Sequence, residues 1–425
     1  MLRRKPDNKY FKFNFFNPGF ITIFAFRNIR SELIGTNVSE QNLILLNLAS
    51  SDMIKNPFLI KGYISPKYFC DREQETKKII SAIENGRDLT MVSLRRMGKT
   101  GLLHHVSHQK EIQLGFKFVY CDIYKATNLA DLTNILGNAV FSQLEKNTDK
   151  TIKKIKQFFS TLIPTISINP ITFQTEVDFR IENRHQAETT LQQIFSMIAN
   201  YKSRIVLVID EFQQIKKFPE TNVEAILRTY IQQTNNLHMI FSGSSKHILS
   251  AMFSQKNRPF YQSTQLMELG KIKDSEYISF IQKKFALGNM KITNESVQKI
   301  LELNRGHTYY VQYLCNRLFE SGINQISNSF IVDELKSIVQ ENESYYYGYR
   351  NLLTNQQFQL LRAIAKENGI EQPSSMRFIT KNDLGSSSTI NDAIKSLIGK
   401  ELIFKDNKTY QVYDVYFSYW LKYFN

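Results

Sequence analysis

Two short segments carry most of the chemistry that this sequence can perform. The first is Ser93-Leu94-Arg95-Arg96-Met97-Gly98-Lys99-Thr100. It fits the phosphate-loop pattern G-x-x-x-x-G-K-[ST] at every fixed position except the first, where Ser93 stands for Gly. Successive backbone N–H groups of such a loop, here from Arg95 through Met97 to Gly101, curl around phosphate oxygens. The helix that follows adds the positive end of its dipole. Gly98 permits close backbone approach, Lys99 reaches the β- and γ-phosphates, and Thr100 offers its hydroxyl to Mg²⁺. Arg95 and Arg96 either touch the γ-phosphate or a partner, or are solvated. The second segment, Ile205-Val206-Leu207-Val208-Ile209-Asp210-Glu211, is an apolar run ending in two carboxylates. Asp210 suits the Mg²⁺ shell, and Glu211 suits polarising an attacking water. An acidic pair can also merely cap the turn after a strand, but a phosphate loop upstream selects the ATP and Mg²⁺ reading.

Hydrolysis also needs positive charge at the transition state. Lys99 supplies one cation. Arg258, in Asn257-Arg258-Pro259-Phe260-Tyr261, is a candidate arginine finger in cis or from a neighbouring subunit, or else a surface Arg held by a Pro turn. Ser242-Gly243-Ser244 ends another apolar run, where Ser244 either senses the γ-phosphate or simply turns the chain. His104, His105 and His108 read as helix surface or core packing, because no second ligand cluster accompanies them.

These groups need a strand before the loop and a helix after it. Residues 89–93 are a short apolar run and 100–108 a helix pattern. Strands at 116–121, 205–209 and 237–241 alternate with helices at 72–85, 129–144 and 188–201. That order predicts an α/β core, a parallel sheet with helices on its faces. Residues 165–182 break the rhythm and read as a β-hairpin insertion around Asn169-Pro170. Past about residue 270 strands give way to helices at 274–286, 294–303 and 308–319. From Leu352 three short helices precede strands at 402–404 and 409–412, the order of a winged helix. The expected organisation is an N-terminal extension (1–52) with little fold of its own, an ATPase core (53–269), a helical segment (270–349) and a winged-helix domain (350–425).

Lys and Arg number 54 against 39 Asp and Glu, a net charge of +15. That excess favours acidic partners such as nucleotides, nucleic acid or an anionic surface. Cys70, Cys121 and Cys315 are far apart and form no C-x-x-C pair, which argues against a disulfide framework or zinc site and fits a reducing, cytoplasmic setting. No apolar stretch is long enough to span a membrane. Basic residues Arg3, Arg4 and Lys5 before the aromatic run 13–26 faintly resemble a signal peptide, but no small-residue cleavage site follows. Met53, just before the globular pattern begins, reads as a natural start, with 1–52 an upstream extension.

Several motifs together resemble a known family. Asn56-Pro57-Phe58, Phe69-Cys70-Asp71-Arg72-Glu73, Arg95-Arg96-Met97-Gly98-Lys99-Thr100, Val208-Ile209-Asp210-Glu211-Phe212 and Arg258-Pro259-Phe260-Tyr261 are similar to those of the archaeal-type ATPase-domain proteins, near the AAA+ and STAND P-loop ATPases. The resemblance implies that Phe69–Glu73 lies near the adenine end of the pocket and that 270–345 forms a lid. It also implies that Asn304-Arg305-Gly306-His307-Thr308 faces the nucleotide, with Thr308 where the family often has Pro. Tyr410-Gln411-Val412-Tyr413-Asp414 with Trp420 resembles the family's winged-helix terminus.

Residues 350–425 leave the partner open. The presumed recognition helix begins near 386–388 and runs to 397, with Ser388, Asn391, Asp392 and Lys395 facing outward. Asn391 and Lys395 suit DNA, as do Lys405 and Lys408 on the wing, but Asp392 opposes phosphate. DNA stands against a protein partner, an intramolecular role or a second copy of the chain. The function expected is ATP hydrolysis coupled to conformational change. The alternatives are a slow ATP-gated DNA-binding or signalling switch and a scaffold without turnover.

Overall fold

The structure, a computed structural model, describes residues 56–144, 164–168 and 175–423. The expected extension 1–52, the start at Met53 and the Asn169-Pro170 turn lie outside these residues. In chain order the core runs α1 (Glu73–Glu84), β1 (Leu89–Val92), α2 (Lys99–Ser107), α3 (Lys110–Gly115), β2 (Phe116–Asp122), α4 (Leu129–Leu144), β3 (Thr165–Ile168), β4 (Thr175–Asp178), α5 (Arg184–Ala199), β5 (Arg204–Asp210), α6 (Val223–Gln232), β6 (Leu237–Gly243), α7 (Lys246–Ser254) and β7 (Gln265–Glu268).

The central sheet has order β2-β5-β6-β1-β7, and every pairing is parallel. Alternation along β5 explains its burial on both faces. Ile205, Leu207 and Ile209 join the cluster built with α4, α5 and α6, whereas Val206 and Val208 join the one built with α1 and α2. A buried parallel strand must be apolar on both sides, so β5 reads as a continuous run. Register brings the strand ends level: Val92 lies opposite Gly243, Ile209 opposite Phe241, and Asp122 opposite Asp210. β3 and β4 pair antiparallel, Thr165 opposite Asp178, and dock on α4 through Asn138, whose Oδ1 accepts from the Val177 N–H.

Several elements have weak sequence signals. β7 is an edge strand that buries only Met267, so it shows no apolar run. α3 is only six residues long. Beyond the sheet lie α8 (Asp274–Ala286), β8 (Lys291–Ile292), α9 (Asn294–Leu303), α10 (Thr308–Glu320), β9 (Gln325–Ile326) and α11 (Asn328–Glu341). The expectation that strands stop here needs correction: β8 and β9 form a short parallel pair. Two residues per strand leave no periodicity to read.

α12 (Glu343–Asn351), α13 (Asn355–Lys366), α14 (Met376–Asn382), α15 (Ser387–Gly399), β10 (Ile403–Asp406), β11 (Thr409–Val412) and α16 (Val415–Tyr423) complete the chain. Thr354 and Gln357 make a capping box at α13, and Ser386 accepts from the Thr389 N–H to start α15. β10 and β11 form the antiparallel wing. This winged helix is no bead on a linker. Tyr277, Tyr310, Leu335 and Ile338 share one core with Tyr346, Leu361, Leu397 and Trp420. Arg305 adds polar bolts, donating to the Val412 carbonyl (3.1 Å) and to Ser418 Oγ (2.8 Å). Among the described residues no helix is long and apolar enough to cross a membrane, and Cys70, Cys121 and Cys315 are free and buried.

His307 sits at this junction and is only 4% exposed. Burial, then Lys271, Arg305 and Arg96, push its pKa from 6.5 down to about 4, partly opposed by Asp406. The neutral ring therefore stabilises the fold fully above the unfolded pKa, and that contribution is lost as pH falls toward the folded value. Its size is roughly 3 kcal/mol. Denaturant titrations between pH 6.5 and 4 should show stability falling with acid, and His307→Asn should flatten part of that slope. Equal slopes for both proteins would contradict this role.

Candidate active site

The loop between β1 and α2 turns on two residues with left-handed backbone, Arg96 (φ +67°) and Gly98 (φ +91°). Gly98 needs that freedom. Ser93 does not adopt positive φ. It is buried, and its Oγ donates to the Leu94 carbonyl at 2.8 Å. A side chain is tolerated there because nothing in the local backbone demands glycine.

Strand order decides what meets this loop. Because β6 lies between β1 and β5, its end sits between the phosphate loop and the two carboxylates. Asp210 is buried and fully engaged. Its Oδ2 accepts from Thr100 Oγ1 (3.1 Å) and Tyr120 Oη (2.8 Å), and its Oδ1 from the Glu211 N–H (3.0 Å). Lys99 is buried as well. Burial lowers its pKa, while Glu211 and Asp210 oppose the shift. Arg95 adds to the lowering, so the net shift is downward, with the two carboxylates opposing it.

Glu211 has φ +56°, a conformation that costs about 1 kcal/mol or more outside glycine and persists where neighbours enforce it. The neighbours here are Gln213 Nε2 and Ser244 Oγ, which both donate to Oε2, the latter at 2.7 Å. Gly243 makes this possible: a Cβ there would meet Gln213 Oε1 at 2.0 Å. Ser244 therefore lies against Glu211, at the end of β6.

A cavity of about 390 Å³ opens from the loop, a size suited to a small-molecule ligand. Arg95, Arg96, Met97, Gly98, Lys99, Thr100, Gly101 and Glu211 line it, and so do Leu59, Ile60, Tyr63 and Phe69 among others. The segment that carries Leu59 and Ile60 is anchored by reciprocal bonds, Asn56 Nδ2 to the Asn316 carbonyl (2.8 Å) and Asn316 Nδ2 to the Phe58 carbonyl (2.7 Å). Phe69 stacks on His105 at 4.2 Å, and Tyr63 Oη bonds His105 Nδ1 at 3.0 Å. His105 thus packs behind the cavity wall. Among the described residues no three His, Cys, Asp or Glu side chains cluster as metal ligands. Arg72 bolts this wall to the loop, donating to the Met97 and Gly270 carbonyls.

Two departures from expectation stand out. Arg258 does not line the cavity. Its guanidinium is paired with Glu224 on α6, a nearly buried carboxylate. Arg95 is the arginine whose charge reaches Glu211, and it lines the cavity itself. Thr308, standing where proline was the pattern, makes a contact proline cannot: Oγ1 donates to the Met97 carbonyl at 3.1 Å. The next N–H, of Tyr309, donates to the Arg96 carbonyl at 3.0 Å.

The sequence patterns gave no sign of what covers the loop from above. Tyr413 Oη accepts from the Arg95 backbone N–H at 2.7 Å. Glu401 pairs with the Arg95 guanidinium and Asp414 with that of Arg96, each at 2.8 Å. Arg96 also lies over the rings of Tyr309 and Tyr310. All three contacts from Glu401, Tyr413 and Asp414 cross from the winged helix to the phosphate loop. Their signal would have been an acidic and tyrosine-bearing wing opposite a loop with two arginines, legible only once the fold was known.

Known proteins share this fold. A family model described as "ATPase domain predominantly from Archaea" matches residues 69–314, and one described as "Probable winged helix domain" matches 344–423. No curated protein matches the sequence. Among solved structures, the Walker-type ATPase PABY2304 of Pyrococcus abyssi is similar over 86% of this chain and 99% of its own, with TM-score 0.60 and 15% identity. The Aeropyrum pernix ORC2 protein is similar over 84% of this chain and 92% of its own, with TM-score 0.52 and 15% identity. Likeness at that identity establishes the fold, a parallel-sheet nucleotide-binding core followed by a winged helix. The first family match spans more than half of the 425 residues and includes the phosphate loop and the Asp210–Glu211 pair, so the chain belongs to the predominantly archaeal family of ATPase domains and is a P-loop ATPase.

Proposed function

We propose that this ATPase binds ATP with Mg²⁺, hydrolyses it, and couples the bound nucleotide to the placement of its winged helix. The carrying observation is the Tyr413 hydroxyl on the Arg95 N–H of the phosphate loop, beside the Arg95–Glu401 pair. A triphosphate entering the loop competes for the same donors.

Thr100 Oγ1 and Asp210 Oδ2, adjacent and both hard oxygens, fit a Mg²⁺ ion that completes its shell with phosphate and water. Mg²⁺ bound there would neutralise phosphate charge. The chain's own residues do the rest. Loop N–H groups and Lys99 hold the phosphates, and Glu211 orients and polarises the water. Ser244 relays the state of the γ-phosphate to Glu211 through their shared hydrogen bond. Arg95, once free of Glu401, supplies the charge that Arg258 gives to Glu224 instead.

Magnitudes favour exchange. The Arg95–Glu401 and Arg96–Asp414 pairs are partly exposed, so each is worth about 1 kcal/mol or less. The Tyr413 bond adds roughly 1 kcal/mol. Each charge-assisted bond from the loop to phosphate contributes about 1.5–3 kcal/mol, so several together outweigh the docking contacts.

A second reading concerns DNA. Ser388, Asn391 and Lys395 on α15 and Lys405 and Lys408 on the wing are exposed and not used in docking. Lys395 does pair with Asp392 at 3.8 Å, which weakens that face for phosphate.

Phosphate release should fall by roughly 10²-fold or more in Lys99→Ala and Glu211→Gln, with ATP binding kept in the second. Arg258→Ala should stay within about threefold of wild type in phosphate release, because Arg258 does not line the cavity, while the loss of Glu224's partner lowers stability instead. Variants as active as wild type would remove the site assignment. The double variant Tyr413→Phe, Glu401→Gln should bind ATP about tenfold more tightly in calorimetry while ADP affinity moves less; unchanged ATP affinity would sink the coupling. A DNA gel shift that fades with added salt and with Lys405→Ala, Lys408→Ala would support the second reading, and no shift at low salt would end it.

A further inference from the structure

Strand β2 carries an aromatic side chain at every second position. Phe116, Phe118 and Tyr120 share one face of it, and all pack on the cluster built with α1 and α2. Phe116 and Phe118 show that a bare ring suits this face. Tyr120 adds a hydroxyl near the end of the strand, two residues before Asp122, which lies opposite Asp210. That hydroxyl donates to Asp210 Oδ2 at 2.8 Å, the same oxygen that accepts from Thr100 Oγ1 at 3.1 Å. A carboxylate only accepts, so the phenol is the donor. Tyr120 is itself held in place. β2 is an edge strand, and the Gln143 carboxamide from α4 takes both the Tyr120 N–H (3.1 Å) and its carbonyl (3.2 Å). The His104 ring packs on the phenol ring, with centroids 4.9 Å apart. His104 lies one turn beyond Thr100 on α2. One helix therefore supplies both the Thr100 hydroxyl and the ring that steadies Tyr120.

We propose that Tyr120 is a positioning residue for the metal, its hydroxyl fixing the Asp210 carboxylate in the orientation that faces Thr100 and shares Mg²⁺ with it. The inference rests on the Mg²⁺ reading above and extends it to a residue outside both nucleotide motifs. Phenylalanine at this position would leave Oδ2 with one bond fewer and the carboxylate freer to turn. Hydrogen bonds to metal-ligating carboxylates orient them, and losing one typically costs about 10- to 100-fold in metal affinity. Tyr120 acts through Asp210, so nucleotide held without metal by Lys99 and the loop is indifferent to it.

The test is calorimetric titration with the slowly hydrolysed analogue ATPγS, in EDTA and across a series of MgCl₂ concentrations, for wild type and Tyr120→Phe. The variant keeps the ring in its packing and removes only the hydroxyl. It should bind metal-free nucleotide within about twofold of wild type and need about tenfold more Mg²⁺ for the same gain in affinity. Added to Asp210→Asn, Tyr120→Phe should move the Mg²⁺ requirement by less than about twofold, because its target is already altered. An equal Mg²⁺ requirement in wild type and Tyr120→Phe overturns the inference. So does a loss of affinity that is the same with and without metal, the result that a structural role alone would give. A wild type whose affinity ignores Mg²⁺ and is unmoved by Thr100→Ala would instead overturn the metal reading, and the inference with it.

Discussion

The parallel register of β1, β6 and β5 is the constraint on which the site depends. It levels Val92 with Gly243 and Phe241 with Ile209, so the chain leaves three neighbouring strands at one height. From there the phosphate loop, Ser244 and the Asp210–Glu211 pair have no choice but to converge. A slip of one residue in β5 would reverse its two buried faces and turn Asp210 away from Thr100. Burial of Val206, Val208, Ile205 and Leu207 in two separate clusters resists that slip. The hydrophobic pattern of β5 is thus also what aims its terminal carboxylates.

Electrostatics build outward from that point. Lys99 is desolvated, which lowers its pKa, and Asp210 and Glu211 oppose that shift. Arg95 and Arg96 extend the positive field to the rim, where Glu401 and Asp414 answer it. Asp406 of the wing likewise reaches Lys246 at the start of α7, at 3.6 Å. A basic rim meeting an acidic wing makes the docked winged helix a chemical mimic of phosphate: carboxylates for the arginines and a hydroxyl oxygen for a loop N–H. Under the proposed coupling, these are the contacts that a nucleotide's phosphates would replace.

Much of this was legible in the sequence, and the limits follow physical lines. Long amphipathic helices such as α4, α8 and α9 announce themselves by period, and β5 by its unbroken apolar run. The pairing of Lys99 and Thr100 with Asp210 and Glu211 follows from motif chemistry, because each residue type has one plausible partner on ATP and Mg²⁺. β7 and the β8–β9 pair stayed hidden because edge and two-residue strands carry no pattern. Arg258 stayed open between an arginine finger and a surface arginine because its motif says nothing about Glu224, which lies on another helix. The Tyr413 contact could not be read at all. It comes from long-range proximity, Tyr413 lying 318 positions from Arg95, and the residue type is not unusual on its own.

The shared core of the helical segment and winged helix sets what kind of motion the site can drive. Trp420, Tyr346 and Leu335 belong to the same cluster as Tyr277 and Tyr310, so prising the winged helix from the helical segment would expose many buried side chains, each worth about 1.5–3 kcal/mol. The few polar contacts onto the phosphate loop sum to far less. Any displacement driven by nucleotide must break the weaker boundary and leave the stronger one closed. The helical segment and winged helix would then move as one body against the sheet. Thr308 and Tyr309, bonded to the loop carbonyls, lie on that boundary, as do Tyr413 and Asp414. The loop is accordingly gripped from two directions by a single body, so under the proposed coupling a phosphate that altered the loop would act on both grips at once.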